Sequence, residues 1–159
     1  MRFAGLALTG LSLLAGCASA PPRATAPAPV VVAEPPVAAL GARAAALASS
    51  FVGTPYRFGG DTPSGFDCSG LVYFVFHELG VSVPRTAAEQ RAAAQHVRGE
   101  ELAPGDLVFF YTPADHVGIY LGNGEFVHAP ASGRAVERAR LDAPFFILGF
   151  AGGGRFTRS

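Results

Sequence analysis

The sequence predicts an α+β fold, with helices first and then an antiparallel sheet of about five to six strands packed against them. Two observations predict it. From Ala38 to Gln95, alanine- and leucine-rich runs with helical spacing alternate with Gly/Pro breaks. After Gly99 the pattern changes to short β-rich segments, "DLVFFY", "HVGIYLG", "EFVHAP", "AVERARL" and "FFILGF", separated by Gly, Pro, Asn and Asp. With 50% hydrophobic residues in 159, the chain can build one domain with a real core.

The N-terminus reads as a targeting segment. Met1-Arg2 supplies a positive start, and Phe3 to Leu14 is apolar. That run falls short of the roughly 20 residues that span a bilayer, so it reads as a signal sequence. It ends in "LLAGC", which resembles a bacterial lipobox and implies cleavage before Cys17 and lipid on its sulfur. The alternative is an ordinary secretory cut after Ala18-Ser19-Ala20. Ala18, next to Cys17, resembles the pattern of lipoproteins sorted to the outer membrane. The expected location is therefore the inner leaflet of that membrane, facing the periplasm. Residues 1–16 are expected to be signal, and 17–37 the lipidated cysteine with a Pro/Ala-rich tether that holds six of the 13 prolines.

The domain is expected over residues 38–152. Leu40 and Leu47 among alanines predict a first helix that ends at Gly53. "TPYRFGGDTPSG" is a loop. Asp67 caps a second, deeply buried helix from Cys68 to about Leu79, closed by Gly80. A third helix runs from Thr86 to Gln95, with Glu89 placed for a capping box. Residues 153–159 are expected to be a flexible tail.

Twelve basic and 12 acidic residues cancel, which argues against nucleic acid as a partner. The chain has two cysteines. If Cys17 carries lipid, Cys68 is a lone thiol in an oxidising compartment, and it must be buried or used. Taken alone it reads as a buried structural thiol, as a zinc ligand lacking an evident fourth partner, or as a nucleophile. Its place at a helix N-terminus predicts a lowered pKa, with Asp67 fixing that first turn.

Four histidines are candidates to activate it. His77 lies on the far side of the same helix, and His96 sits in a polar linker. His116 and His128 belong to a hairpin around "GNG". A bare Asn123-Gly124 turn would pair Ile119 with His128 and put the two histidines on opposite faces. A bulge or an odd loop pairs Gly118 with His128, and both histidines then share a face, with Gly118 leaving room for them. An imidazole so placed can orient the other. An odd loop or a bulge is therefore expected, against the simplest reading of Asn-Gly.

"TPYRFGG", "FDCSGLVYFVF", "PRTAAEQ", "PGDLVFF" and "HVGIYLGNGEFVHAP" together resemble the NlpC family of papain-like cell-wall cysteine peptidases, from about Ala38 to Phe150. The resemblance implies a papain-like NlpC fold for residues 38–152, with Cys68 as nucleophile, His116 as general base and His128 as the orienting third residue. It places Tyr56 at the oxyanion region. The expected substrate is the peptidoglycan stem peptide, cleaved between γ-D-glutamate and meso-diaminopimelate. Muramoyl-alanine amidase, cross-link endopeptidase and a catalytically silent wall-binding lipoprotein are the alternatives. Asp67 and Ser69 are expected to support the site. Arg57 and Arg85 are candidates for a substrate carboxylate, Arg85 equally for a structural tie. No metal or cofactor and a monomeric state are expected.

Overall fold

The structure, a computed structural model, describes residues 37–111 and 115–157. The expectations for the signal, Cys17 and most of the tether lie outside the described residues.

Helix α1 (Val37–Ser50) leads through the Gly-rich loop into a small hairpin, β1 (Asp61–Thr62) and β2 (Gly65–Phe66). Asp67 then caps α2 (Cys68–Glu78), as its side chain and extended backbone predict. Thr86 and Glu89 form the expected capping box at α3 (Ala87–Ala93). That helix stops short of Gln95, because β3 (Gln95–Val97) joins the sheet as an edge strand. His96 therefore lies on a strand and not in a linker.

The remaining strands are β4 (Leu107–Phe110), β5 (His116–Gly122), β6 (Glu125–His128), β7 (Glu137–Arg140) and β8 (Phe150–Arg155). All neighbours are antiparallel, in the order β3-β8-β4-β5-β6-β7. The α+β class holds, and the sheet has six strands.

Alternation along β4 divides the core in two. Leu107 and Phe109 face the side covered by α1 and α2, with Leu71, Val72, Val75, Phe76, Val117 and Ile119. Val108 and Phe110 face the other side, with Phe126 beneath Tyr120, Phe146 and Phe150. Both faces are dry, which is why "LVFF" is apolar without alternation.

Two expectations are corrected here. "FFILGF" is not a strand: Pro144 opens a short helix, α4 (Pro144–Gly149), which lays Phe146 onto the second core and leaves Phe145, Ile147 and Leu148 exposed. The flexible tail does not begin at 153. Gly153 and Gly154 pair with both β3 and β4, and Arg155 pairs with β3. A Cβ on Gly153 would come 2.7 Å from Leu102 Cδ2, and one on Gly154 would come 2.9 Å from Phe109 Cε2. The glycines there are a packing requirement and not a sign of looseness. Arg155 also donates through Nε to the buried Asp106 carboxylate at 2.6 Å.

Candidate active site

Cys68 is the first residue of α2 and is half-buried. Its first turn is held by Asp67, which accepts from Gly70 N at 2.6 Å, Ser69 Oγ at 3.2 Å and Gly59 N at 3.0 Å. Arg85 clamps the same carboxylate from the other side, with Nη1 at 2.9 Å and Nη2 at 2.8 Å. It also donates to Ser69 Oγ at 3.0 Å and Gly60 O at 3.2 Å. Arg85 is thus the structural tie. Both terminal nitrogens are engaged, so the expectation that it takes a substrate carboxylate does not fit this geometry. Arg57 is exposed and makes no ion pair among the described residues.

The hairpin has the expected bulge. Ile119 pairs with Val127 and Tyr120 with Phe126, but Gly122 pairs with Glu125, so Leu121 is the extra residue. The turn is nevertheless Asn123-Gly124, both at positive φ (53° and 78°). The register continues to put Gly118 opposite His128. His116 Nε2 lies 2.7 Å from His128 Nδ1, with the rings nearly perpendicular at 83°. Gly118 makes room, though for another group than expected. A Cβ there would come 2.6 Å from Phe126 Cδ2 and 2.9 Å from Val127 O. Phe126 in turn packs on His128, ring centroids 5.0 Å apart. The glycine therefore seats the histidine through a phenyl ring.

The thiol meets the chain at the start of β5, beside the backbone of His116. Along β5 the even residues point their backbone groups at β4, as Tyr120 N donating to Asp106 O demonstrates. The odd residues point at β6, which ends at His128. Beyond that end Asp115 and Val117 have no partner in β6, and the sulfur lies on that side. Sγ is 3.9 Å from Asp115 O, and the nearby Val117 N–H favours its ionised form. The sulfur therefore spans the backbone of His116. With His116 Nε2 committed to His128, Nδ1 is the nitrogen left for the thiol.

The electrostatics differ from expectation. Burial pushes the Cys68 thiol above its ordinary value of 9.0, and the Asp67 carboxylate pushes it further. The N–H groups of Val117, Ser69 and Cys68 itself act the other way but do not win. The helix terminus alone predicted a lowered value; desolvation and the capping carboxylate outweigh it. Burial also lowers His116 below 6.5, partly offset by Asp115, and drives His128 down to about 3, with His116 and Arg134 adding to the effect. In the resting site, thiol and imidazoles are all neutral. Tyr56 is half-buried near Cys68 and Asp67. Burial raises its phenol above the ordinary value, and the Asp67 carboxylate and the Cys68 sulfur, once ionised, raise it further.

A cleft of about 530 Å³ opens beside the histidines, walled by both of them with Tyr111, Arg134, Glu137 and Phe146. Sequence reasoning missed Arg134, Glu137 and Phe146. Glu137 is directly opposite His128 across the sheet, but the loop from Ala129 to Val136 hides that pairing from any count of residues. Among the described residues no cluster could hold a metal ion, and no helix is long and apolar enough to cross a membrane.

The model of the NlpC/P60 family matches residues 53–152. The murein DD-endopeptidase MepH of Escherichia coli (strain K12) is 43% identical over 113 residues, covering 65% of this chain and 41% of that protein. The gamma-DL-glutamyl hydrolase of Bacillus subtilis (strain 168) is 47% identical over 91 residues, covering 54% of this chain and 22% of that protein. The chain thus spans less than half the length of either relative. Among solved structures, the NlpC/p60 domain of the peptidoglycan hydrolase SagA superposes with a TM-score of 0.66 at 32% identity, over 73% of this chain and 98% of that one. A helix-capped cysteine set against a strand-borne histidine pair thus sits in a fold and a sequence shared with these proteins, and the chain belongs to the NlpC/P60 family.

Proposed function

We propose that the chain is a cell-wall cysteine peptidase that hydrolyses amide bonds in peptidoglycan stem peptides through Cys68, His116 and His128. The observation that carries this reading is that the sulfur lies 3.9 Å from the carbonyl of Asp115, the residue before His116, while Asp115 and the 2.7 Å histidine pair wall an open cleft. The relatives named for murein and glutamyl hydrolysis support the substrate class.

The chemistry follows from the neutral resting state. As Sγ attacks the amide carbonyl carbon, its proton passes to His116 Nδ1. The tetrahedral oxyanion is met by the N–H of Cys68 at the helix start, with the Tyr56 hydroxyl nearby. The imidazolium then gives its proton to the leaving amine, and the C–N bond breaks to leave a thioester on Cys68. Water, deprotonated by His116, attacks that thioester and restores the thiol. The group that protonates the leaving amine stands on the amine's side of the bond. The cleft walled by both histidines therefore takes that half of the substrate, and Arg134 offers its carboxylate a cation.

The bond most consistent with this site joins γ-D-glutamate to meso-diaminopimelate, an amino acid with carboxylates for Arg134. Cross-link cleavage is the second reading, favoured by the DD-endopeptidase name of one relative. Mass spectrometry of purified muropeptides digested with the chain decides between them. Tetrapeptide stems should yield a diaminopimelyl-alanine fragment; release of monomers from cross-linked dimers alone would select the second reading, and intact substrate would sink both.

A neutral thiol–imidazole pair predicts a wide pH plateau. kcat/KM should rise as His116 loses its proton below pH 6.5 and fall only above pH 9.0, where the thiol ionises and the acid is gone. A preformed thiolate–imidazolium pair would show its alkaline limb well below pH 9.0, and that profile would refute the neutral pair.

We also read Cys17 as the lipid anchor, which holds the monomeric domain in the periplasm at the outer membrane by way of the tether. Cys17→Ala should move the protein from the membrane fraction to the soluble fraction and leave muropeptide hydrolysis unchanged; a membrane-retained variant would refute the anchor.

A further inference from the structure

His128 is 2% exposed, and its Nε2 has no hydrogen-bond partner. Among the described residues one carboxylate approaches it: Glu137 Oε1, at 3.5 Å, from the residue directly across the β6–β7 ladder. Phe126 and Phe146 pack on the ring at centroid distances of 5.0 and 5.3 Å, so the rest of its surroundings offer little to a proton. We propose that Glu137 is a positioning residue for the histidine pair: its carboxylate keeps the proton of His128 on Nε2, so that His128 Nδ1 accepts from His116 Nε2–H and the His116 lone pair is left on Nδ1, facing the thiol.

The proposal rests on the reading of His116 as the base, and it supplies the polarity that reading needs. A neutral imidazole carries one N–H. If His128 held it on Nδ1, it would donate to His116 Nε2, the proton of His116 would sit on Nδ1, and the base would present an N–H to the thiol instead of a lone pair. The 2.7 Å contact fits either polarity, so an outside group must choose. The charged or titratable groups facing His128 are His116, Arg134 and Glu137. Of these only Glu137 brings an acceptor near Nε2, at 3.5 Å.

Arg134 Nη2 holds the same Glu137 oxygen at 2.5 Å and lines the cleft. The guanidinium draws Oε1 away from full contact with His128. A substrate carboxylate that engages Arg134 would release Glu137 to close on Nε2, which couples cleft occupancy to the polarity of the base.

The test is a two-bond ¹H–¹⁵N correlation spectrum of the histidine-labelled 159-residue chain at neutral pH, with turnover measured in parallel. In the unmutated protein His128 should appear as the Nε2–H tautomer. Glu137→Gln, whose amide oxygen still accepts, should keep that tautomer and stay within about threefold in kcat. Glu137→Ala should mix or reverse the tautomers and lose about 10- to 100-fold in kcat at near-constant KM. An Nδ1–H tautomer in the unmutated protein overturns the proposal and needs no variant to fold. An unaltered tautomer in Glu137→Ala, or a loss confined to KM, overturns it equally. Because the spectrum does not depend on turnover, an inactive chain would sink the hydrolase reading without deciding the tautomer.

Discussion

Cys68→Ala should abolish muropeptide hydrolysis, by at least about 10³-fold in kcat, and leave the melting temperature within a few degrees of the parent. The two halves of this result have separate physical causes. The first turn of α2 is held by Asp67, Ser69, Gly70 and Arg85, none of which uses the sulfur. Cys68 is half-buried, and alanine removes one atom, so little packing is lost. The thioester, however, has no other atom on which to form. His116→Ala should lose a similar factor because it removes both the base and the acid. His128→Ala should lose less in rate, since it orients and does not transfer the proton, and more in stability. Its ring is buried against Phe126 and Phe146, and truncation there opens a cavity at a cost of about 2–4 kcal/mol. His77→Ala is the control: that ring is exposed and stacks only on Tyr73. Hydrolysis followed by chromatography, with melting by circular dichroism, reads both quantities. Turnover surviving in Cys68→Ala would end the covalent mechanism; a wild-type rate in His128→Ala beside a dead His96→Ala would move the base elsewhere.

The parts of this site legible in the sequence were those set by short-range geometry. The cap at Asp67, the box at Thr86/Glu89 and the side-chain period of a strand act over a few residues, so counting along the chain reaches them. The hairpin bulge was legible for the same reason: two histidines on one face leave few registers across so short a turn. What escaped depends on contacts distant in sequence. The glycines of β8 have poor strand propensity and read as a tail, yet Leu102, Phe109 and Ala94 press so close that no side chain fits. "FFILGF" had strand composition, and the overlooked signal was Pro144 at the first position of a helix. The direction of the Cys68 shift is a sum of burial and several dipoles, and burial is invisible until the sheet closes over the helix end. Glu137 escaped because the chain travels from Ala129 to Val136 before β7 returns it to His128.

Gly70→Ala should destabilise the domain by about 2–4 kcal/mol and remove most activity even where the protein is still folded. Helix propensity predicts the opposite, since replacing a helical glycine by alanine is worth about 0.5–1 kcal/mol in favour of the helix. Sterics decides the sign. A Cβ on Gly70 would lie 2.0 Å from Gly60 O, 2.9 Å from Arg85 Nη2 and 3.0 Å from Asp67 Oδ1. Neither backbone nor clamp has space to yield. Gly60 O accepts from Asp67 N at 2.9 Å and from Arg85 Nη2 at 3.2 Å, so pushing it away breaks the contacts that fix the cap. The thiol is carried by that first turn, two residues before Gly70, and its contact with Asp115 O fails when the helix end moves. This accounts for glycine in "DCSG" by the approach of the loop that precedes it. Thermal melting should show a fall of roughly 4 °C per kcal/mol for a domain of this size. Turnover measured well below the lowered midpoint should fall in kcat more than in KM, because a displaced sulfur weakens attack while the cleft at the histidines stays open. A variant that melts at or above the parent temperature would mean that the loop and helix are not pressed together as described, and the account of how Cys68 is positioned would fall with it.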